Sequence, residues 1–243
     1  MKELGKSIII GLSIVLSTAL IAMAIKAIVS SKDTISVTGL GETTFTSDLI
    51  VWKGYVSVEA YDKQAAYNEI EKSQQKVDKY LKNNGVLDAE LTFSNVDASK
   101  MTNSRYSDNG NYIGSYFTGW RLSQSFTVTS NDVDKIEQIS RQISTLISQG
   151  VEVESYNPDY YYTKLDELKL SLIEKASKDA FQRAENIVNN AGAKLGKATS
   201  ARLGVFQITD PNGSEDYSYG GTFNTSSKEK KASVTVRMEY QLK

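Results

Sequence analysis

The chain has 243 residues, of which 40% are hydrophobic and 23% charged, and its formal net charge is −1. This composition is ordinary for a globular protein, and a nearly neutral chain offers no broad electrostatic surface for nucleic acid. The sequence contains neither Cys nor His. Disulfides, thiol nucleophiles, His-dependent catalytic triads and His- or thiolate-based metal sites are therefore excluded. We predict no catalytic residues, no metal and no cofactor.

The N-terminal segment, residues 1–31, is dominated by a charge-free apolar run from Ile8 to Ile25. Its 18 residues are at the short end of what a membrane span requires. We therefore predict an uncleaved transmembrane anchor here, with the membrane as partner and residues 32–243 in the periplasm. The sequence Ala22-Met23-Ala24 resembles a signal-peptide cleavage site, so a cleaved signal and a soluble periplasmic body are the alternative.

The first strand and helix of the body are well marked. Leu49–Ala60 is rich in β-favouring residues and predicts a strand. Asp62 is a suitable N-cap for an amphipathic helix that reaches about Asn84, and Gly85 then ends it. A second strand is expected at Ala89–Val96.

The same order of elements then recurs. Alternating apolar residues predict a strand at Trp120–Thr129, and Asn131 or Asp132 caps a helix that ends at Gly150. Val151–Val153 begins another strand. The body thus contains two strand–helix–strand halves, without a residue-level repeat that would show duplication.

A long helix is predicted at Thr163–Asn190, with an Ala-rich stripe suited to close packing on a sheet. Strands follow at Thr199–Ile208 and Ala232–Leu242. The predicted fold class is α+β: a mainly antiparallel sheet with long helices packed on one face, preceded by one N-terminal transmembrane helix.

Three segments exceed what a connection needs, Asp97–Gly119, Ser155–Tyr162 and Thr209–Lys231, and we interpret them as long loops. The first two are rich in aromatic residues. Such residues can anchor a protein interface or stack on sugars, and packing or a subunit contact is favoured over a small-ligand site. The candidate partner or ligand contacts are Tyr112, Tyr116, Trp120, Tyr160, Tyr161 and Tyr162.

Two glycines, Gly39 and Gly41, directly follow the β-type run Ile35-Ser36-Val37. A dinucleotide-binding loop would need a third glycine and a helix N-terminus to hold the phosphates, and here a second strand follows instead. We expect a bend or bulge between two strands.

Two stretches resemble the SIMPL-domain family of bacterial envelope proteins. The first has the V-x-G-x-G pattern and an Asp before the first long strand; the second is an Ala-rich helix ending in G-x-x-L-G. The residues that carry the resemblance are Val37, Gly39, Gly41, Asp48, Ala180, Ala184, Gly192, Leu195 and Gly196. One departure is Ser47, where the family often has Pro. The resemblance spans residues 34–243.

This resemblance implies an exported α+β protein, ring-like oligomers in some relatives, and no known catalytic activity. With the residue patterns, it predicts a non-enzymatic envelope protein that self-associates as a homo-oligomer through its long loops or a sheet edge. The alternative is a glycan- or peptide-binding module that uses the tyrosine-rich loops. A hydrolase based on carboxylates or a Ser-Lys pair has the least support in the residues.

Overall fold

The computed structural model of the chain describes residues 2–30, 33–213 and 218–243, and within the first helix it describes the side chains of residues 11–26. The helices are α1 (Lys2–Ser30), α2 (Lys63–Asn83), α3 (Val133–Gln142) and α4 (Leu165–Asn190), with 3₁₀ helices at Asp88–Glu90 and Ile143–Gln149. The strands are β1 (Thr34–Thr46), β2 (Leu49–Ala60), β3 (Leu91–Phe93), β4 (Asp97–Tyr106), β5 (Tyr112–Ser130), β6 (Glu152–Ser155), β7 (Asp159–Tyr161), β8 (Leu195–Leu203), β9 (Gln207–Thr209), β10 (Thr222–Phe223) and β11 (Glu229–Leu242).

These strands form two sheets. In sheet A, β1 and β11 are antiparallel over their whole length, β8 and β9 line the other edge of β11, and β10 pairs with β9 in parallel. In sheet B, β2 lies between β5 on one side and β6 and β7 on the other, while β3 and β4 both pair with β5. The protein is therefore α+β, but the prediction of a single sheet is wrong.

Each sheet has its own helices. Helices α2 and α3 cover sheet B and enclose a large core that includes Trp52, Ile70 and Phe126. Helix α4 covers sheet A, where Leu172 and Ala176 pack against Val234 and neighbouring residues of β11. The division arises because β1 and β2, adjacent in the chain, join different sheets.

The prediction of a transmembrane helix is wrong: among the described residues, no helix is both long enough and apolar enough to cross a membrane. A helix does form at α1. The described side chains of this helix, residues 11–26, include the polar residues Ser13, Ser17 and Thr18 and the charged Lys26.

Several predicted boundaries are confirmed. Strand β2 has the expected limits, and the carboxylate of Asp62 caps α2 by accepting a hydrogen bond from the Ala65 N–H at 2.8 Å. Asp132 caps α3 in the same way, through the Lys135 N–H. The α3 segment continues as a 3₁₀ helix before it ends at Gly150.

Other predictions are corrected. The bend expected at Gly39 and Gly41 does not exist, because β1 is continuous through both residues. Asp97–Gly119 is not a loop but the two strands of a hairpin, β4 and β5, joined by a short turn. Of the strand expected at Ala89–Val96, only Leu91–Phe93 forms a strand (β3), directly after the 3₁₀ helix Asp88–Glu90, and the one expected at Thr199–Ile208 is divided between β8 and β9.

The two sheets meet at the link between β1 and β2. The carboxylate of Asp48 accepts hydrogen bonds from both the N–H and the hydroxyl of Thr163, each at 2.7 Å, just before α4 begins. The Asp48 N–H donates to the Tyr161 carbonyl at 3.0 Å, and its carbonyl accepts from the Asn131 amide at 2.8 Å. One residue therefore ties together α4, β7 and the start of α3.

Candidate functional site

The hairpin formed by β4 and β5 extends beyond the rest of sheet B. β5 pairs with β2 from Trp120 to Ser130, and β2 ends there at Ala60. From Tyr112 to Gly119, the partner of β5 is β4. We call residues 101–118 the β-arm. Each strand of the arm spans about 20 Å at the usual rise per residue.

A tight turn closes the tip of the β-arm. The Ser107 N–H donates to the Asn111 carbonyl at 2.8 Å, and the Gly110 N–H donates to the Ser107 carbonyl at 2.8 Å. Gly110 has φ +79°, a backbone conformation that glycine adopts without a steric penalty. The polar sequence Asp108-Asn109-Gly110 therefore forms a turn.

A β-bulge lies at the base of the β-arm. Met101 pairs with Gly119 but Thr102 pairs with Phe117, so Thr118 is an extra residue on β5. Gly119 has φ +152°, and a Cβ atom there would lie 2.8 Å from the Ala60 carbonyl oxygen. The extra residue turns Phe117 to the same face as Trp120, and their rings are 6.1 Å apart.

The chain itself surrounds Trp120. The Nζ atoms of Lys63 and Lys100 lie 4.7 and 5.6 Å from its ring centroid, at cation–π distance. Phe117 also contacts Tyr61, with ring centroids 5.4 Å apart. This aromatic cluster supports the base of the β-arm, and Trp120 is half-buried within it.

Beyond the base, the β-arm exposes its aromatic residues. Tyr106 and Tyr112, whose rings are 6.0 Å apart, are each 61% exposed. Ile113 and Tyr116 are also exposed, and the Arg105 guanidinium lies 5.6 Å from the Tyr116 ring. Among the described residues, β4 pairs with β5 alone, so its outer edge carries free N–H and C=O groups. An isolated two-stranded hairpin is marginally stable in water, and such an edge can accept another strand.

The second group of predicted contacts lies elsewhere. Tyr160 is buried on β7, its N–H donates to the Thr225 carbonyl at 2.7 Å, and burial raises its pKa. Tyr161 packs near Phe223, with ring centroids 6.4 Å apart. The ring centroids of Tyr162 and Phe45 are 4.7 Å apart. These tyrosines contribute to the junction between the two sheets.

The structure does not bring the two groups of aromatic residues together. Trp120 pairs with Ala60 at one end of β2, whereas Tyr160 pairs with Ile50 at the other. Ten residues of extended strand separate these positions by about 33 Å. Tyr112, Tyr116 and Trp120 therefore belong to the β-arm and its base, and Tyr160, Tyr161 and Tyr162 belong to the junction.

A cleft of about 480 Å³ with a mixed polar and apolar lining lies beside Tyr160, between α3 and the segment 155–160. Two charged residues of its wall, Glu137 and Arg141, form an ion pair with each other, and Glu137 also contacts the Lys228 Nζ at 3.4 Å. The charges are thus largely compensated within the protein. Among the residues that the structure describes, no cluster of His, Cys, Asp and Glu could hold a metal ion.

The shifted carboxyl pKa values have structural causes. The Leu40 N–H and the Arg183 guanidinium lower the pKa of Asp179. Hydrogen bonds from the Ser227 hydroxyl and the Asn212 N–H lower the pKa of Asp210. Both carboxylates are stabilised in the charged form, as in ordinary ion pairs and turns.

Sequence reasoning missed the extended edge of the β-arm and the residues that form it, Met101, Arg105 and Tyr106. A half-buried strand shows alternating apolar residues, but the described β4 positions other than Met101 are all exposed. The strand pattern is therefore nearly absent from the sequence. The remaining signal was the turn sequence Asp108-Asn109-Gly110 between two runs of Ser, Thr and Tyr.

Comparison with known proteins identifies the family. The family model for SIMPL, a protein of unknown function (DUF541), matches residues 35–240. No curated protein matches the chain. A solved Burkholderia cenocepacia structure described as a suspected amidohydrolase/peptidase shares 12% identity, with a TM-score of 0.18. The match covers 53% of this chain and 31% of that one, and such a low structural similarity carries no argument. The family match, which covers nearly the whole body, shows that the chain belongs to the SIMPL family.

Proposed function

We propose that this SIMPL protein is a non-enzymatic component of the cell envelope that self-associates through its β-arm. The observation that carries the proposal is the arm itself, a two-stranded ribbon that exposes Tyr106, Tyr112, Ile113 and Tyr116. In the part of the chain that the structure describes, the outer edge of its strand β4 has no partner strand. Tyrosines are enriched in the centres of protein interfaces, because they bury a large apolar area and keep a polar group.

The bulge at Gly119 also supports an interface role. Bulges are typical of places where a strand must be redirected, and this one turns Phe117 into the cluster around Trp120. The base of the arm is therefore held firmly by the chain's own aromatic residues. A rigid base presents the exposed part of the arm in one orientation, which reduces the entropy lost on association.

Light scattering on the purified full-length chain tests this proposal. A mild detergent should be present, because α1 exposes its described apolar side chains and could cause association by itself. We expect a discrete multimer. Replacement of Tyr106, Tyr112 and Tyr116 by Ser should lower the mass, because it removes apolar contact area from the arm.

Tyr67→Ser is the matched control, since Tyr67 is a comparably exposed tyrosine on α2. It should leave the mass of the multimer unchanged. Circular dichroism and urea unfolding would show that each variant is folded. A wild-type chain that remains a monomer at its highest soluble concentration would contradict self-association.

Location is a separate part of the proposal. Export is supported by the apolar run Ile8–Ile25 and by the cleavage-like sequence Ala22-Met23-Ala24. Cell fractionation should place the body outside the cytoplasm, and N-terminal sequencing of the mature protein would show whether it begins after Ala24. Recovery of the body in the cytoplasmic fraction would contradict export.

The alternative is binding of a glycan or peptide by the exposed tyrosines. A Trp52→Phe variant would make Trp120 the only tryptophan, so that its fluorescence reports on the base of the arm. A monomeric chain whose Trp120 fluorescence is quenched by peptidoglycan fragments would favour this alternative over self-association.

A further inference from the structure

We propose that two copies of the chain join edge to edge through β4, antiparallel about a two-fold axis at Met101, so that Asp97 of each copy pairs with Arg105 of the other. This inference rests on the proposed self-association and specifies its surface and register. It would join two copies of sheet B into one continuous sheet.

The first argument is geometric. Alternate residues of a strand lie on the same face of the sheet, so Asp97, Met101 and Arg105 share one face of β4. Asp97 and Arg105 are each four residues from Met101, on opposite sides of it. A two-fold axis through Met101 therefore places Asp97 directly opposite Arg105 of the second copy, and the symmetry repeats the pair.

The second argument is electrostatic. Asp97 and Arg105 are both exposed, and within the described part of the chain neither forms an ion pair. Opposite charges directly across two strands stabilise their pairing, and like charges destabilise it. The proposed register therefore uses two charges that have no other ion-pair role in the described structure.

Neighbouring registers are less favourable. An axis through Lys100 would place this residue against Lys100 of the second copy, which is a repulsive pair. An axis through Thr102 would place Asp97 opposite Ser107 and would leave both charges unpaired. With the axis at Met101, Lys100 lies opposite Thr102 and every β4 charge avoids a like charge.

The same register gives the arm's tip a partner. Tyr106, which is 61% exposed, would lie opposite Val96 of the second copy, at the base of that copy's β4. Each arm would then lie along the body of the other copy, and its aromatic residues would lose exposed area. The edge pairing and the exposed tyrosines thus support one interface.

Cysteine cross-linking tests the register, because the chain contains no natural Cys. Met101→Cys should form an intermolecular disulfide under mild oxidation, since the two residues meet at the axis. Thr102→Cys is the matched control: its Cα atoms would be about 8 Å apart, beyond the disulfide limit of about 7 Å. Equal cross-linking of the two variants would overturn the register.

Charge reversal tests the proposed pair. Asp97→Arg and Arg105→Asp should each weaken assembly of the full-length chain by about tenfold or more, because two attractive pairs become repulsive. A mixture of the two variants should recover association, since each chain then meets an opposite charge at both positions. The double variant should also recover it. Failure of both recoveries would overturn the Asp97–Arg105 pair.

The two proposals can fail separately. A monomeric wild-type chain would contradict self-association and this interface together. A wild-type multimer whose Met101→Cys variant does not cross-link, and whose charge reversals leave the mass unchanged, would retain self-association and reject the β4 interface.

Discussion

Gly39 on β1 and Ala176 on α4 lie so close that a Cβ atom on Gly39 would be 2.1 Å from the Ala176 carbonyl oxygen. A Cβ atom on Gly41 would similarly lie 2.2 Å from the Leu172 carbonyl oxygen. The two glycines therefore allow the backbone of α4 to approach the backbone of β1. Ala176 and Ala180, both fully buried, complete this contact. The V-x-G-x-G motif of β1 and the Ala-rich stretch of α4, about 140 residues apart in the sequence, therefore form one contact between a strand and a helix.

Gly39→Ala should strongly destabilise the protein. The added methyl group would meet the backbone of α4, which cannot rotate away as a flexible side chain could. We expect the free energy of unfolding to fall by about 3 kcal/mol, at the upper end of the range for overpacking. Urea denaturation followed by circular dichroism would measure the change.

Gly220→Ala is a suitable control, because its added Cβ atom would have no neighbour closer than 4.0 Å. It should shift the unfolding midpoint only slightly. A Gly39→Ala variant as stable as this control would show that α4 and β1 are not in close contact.

Removing the Asp48 carboxylate should loosen the junction between the sheets. Asp48→Ala leaves the N–H and hydroxyl of Thr163 without their acceptor, and hydrogen bonds to a charged group contribute about 1.5–3 kcal/mol each. We expect a loss of about 2 kcal/mol or more in the free energy of unfolding.

A double-mutant cycle of Asp48→Ala with Thr163→Ala would isolate the interaction between the two side chains, and we expect a coupling of about 1 kcal/mol. Asp108→Ala, at the exposed tip of the β-arm, serves as control. Additive effects of the Asp48 and Thr163 substitutions would argue against the contact.

Asp179 should make the stability of the protein depend on pH in the acid range. The Leu40 N–H and the Arg183 guanidinium lower its pKa from the ordinary value of 3.8. A lowered folded-state pKa contributes stability above the unfolded-state pKa, and this contribution is lost as pH falls through the folded-state pKa. Asp179→Asn should therefore be less stable than wild type at neutral pH, and the difference should shrink below about pH 4.

Urea unfolding at several pH values would measure this difference. Glu185→Gln removes an exposed carboxylate from the same helix and should give a nearly constant, small difference. If the difference in the free energy of unfolding between wild type and Asp179→Asn did not change with pH, this would contradict a lowered pKa of Asp179 in the folded protein.

Lys230→Met should lower the free energy of unfolding, although it replaces a buried charge by an apolar side chain. Lys230 is 1% exposed, and its Nζ donates to the carbonyl oxygens of Asn224 and Ser227, each at 2.6 Å. The substitution would leave these buried acceptors without that donor. We expect the free energy of unfolding, measured by urea denaturation, to fall by about 3 kcal/mol or more.

Lys231→Met is the control, since the neighbouring Lys231 is partly exposed and pairs with Glu42 at the surface. Surface ion pairs contribute at most about 1 kcal/mol, so this variant should remain close to wild type. Similar losses for the two lysines would refute a special role for Lys230.

The central strand of sheet B and the helices that cover it were predictable. Residues that favour β-strands indicated β2, and Asp62 and Asp132 indicated the starts of α2 and α3, because an N-cap carboxylate satisfies N–H groups within the next turn. The buried face of α2, including Ala66 and Ile70, also followed from its helical periodicity. These features depend on residues within a few positions of one another.

The candidate site was predictable only in part. Tyr112 and Tyr116 are exposed on the β-arm, as a contact surface requires, whereas Tyr160 is buried in the junction. Both groups have similar local sequences, rich in tyrosine and turn-forming residues. Their exposure differs because β7 pairs with β2 and adjoins the 222–227 segment, while the arm extends past the end of its sheet.

By itself, the sequence determined the α+β class, the absence of Cys and His chemistry, and the helices and strands whose patterns are local. Only the tertiary structure decided that there are two sheets, that Gly39 and Gly41 serve helix packing, and that the predicted loop at Asp97–Gly119 is a projecting hairpin. The reason is physical. Hydrogen bonds between strands and contacts between backbones join residues far apart in the chain, and an exposed strand such as β4 needs no apolar residues that would reveal it.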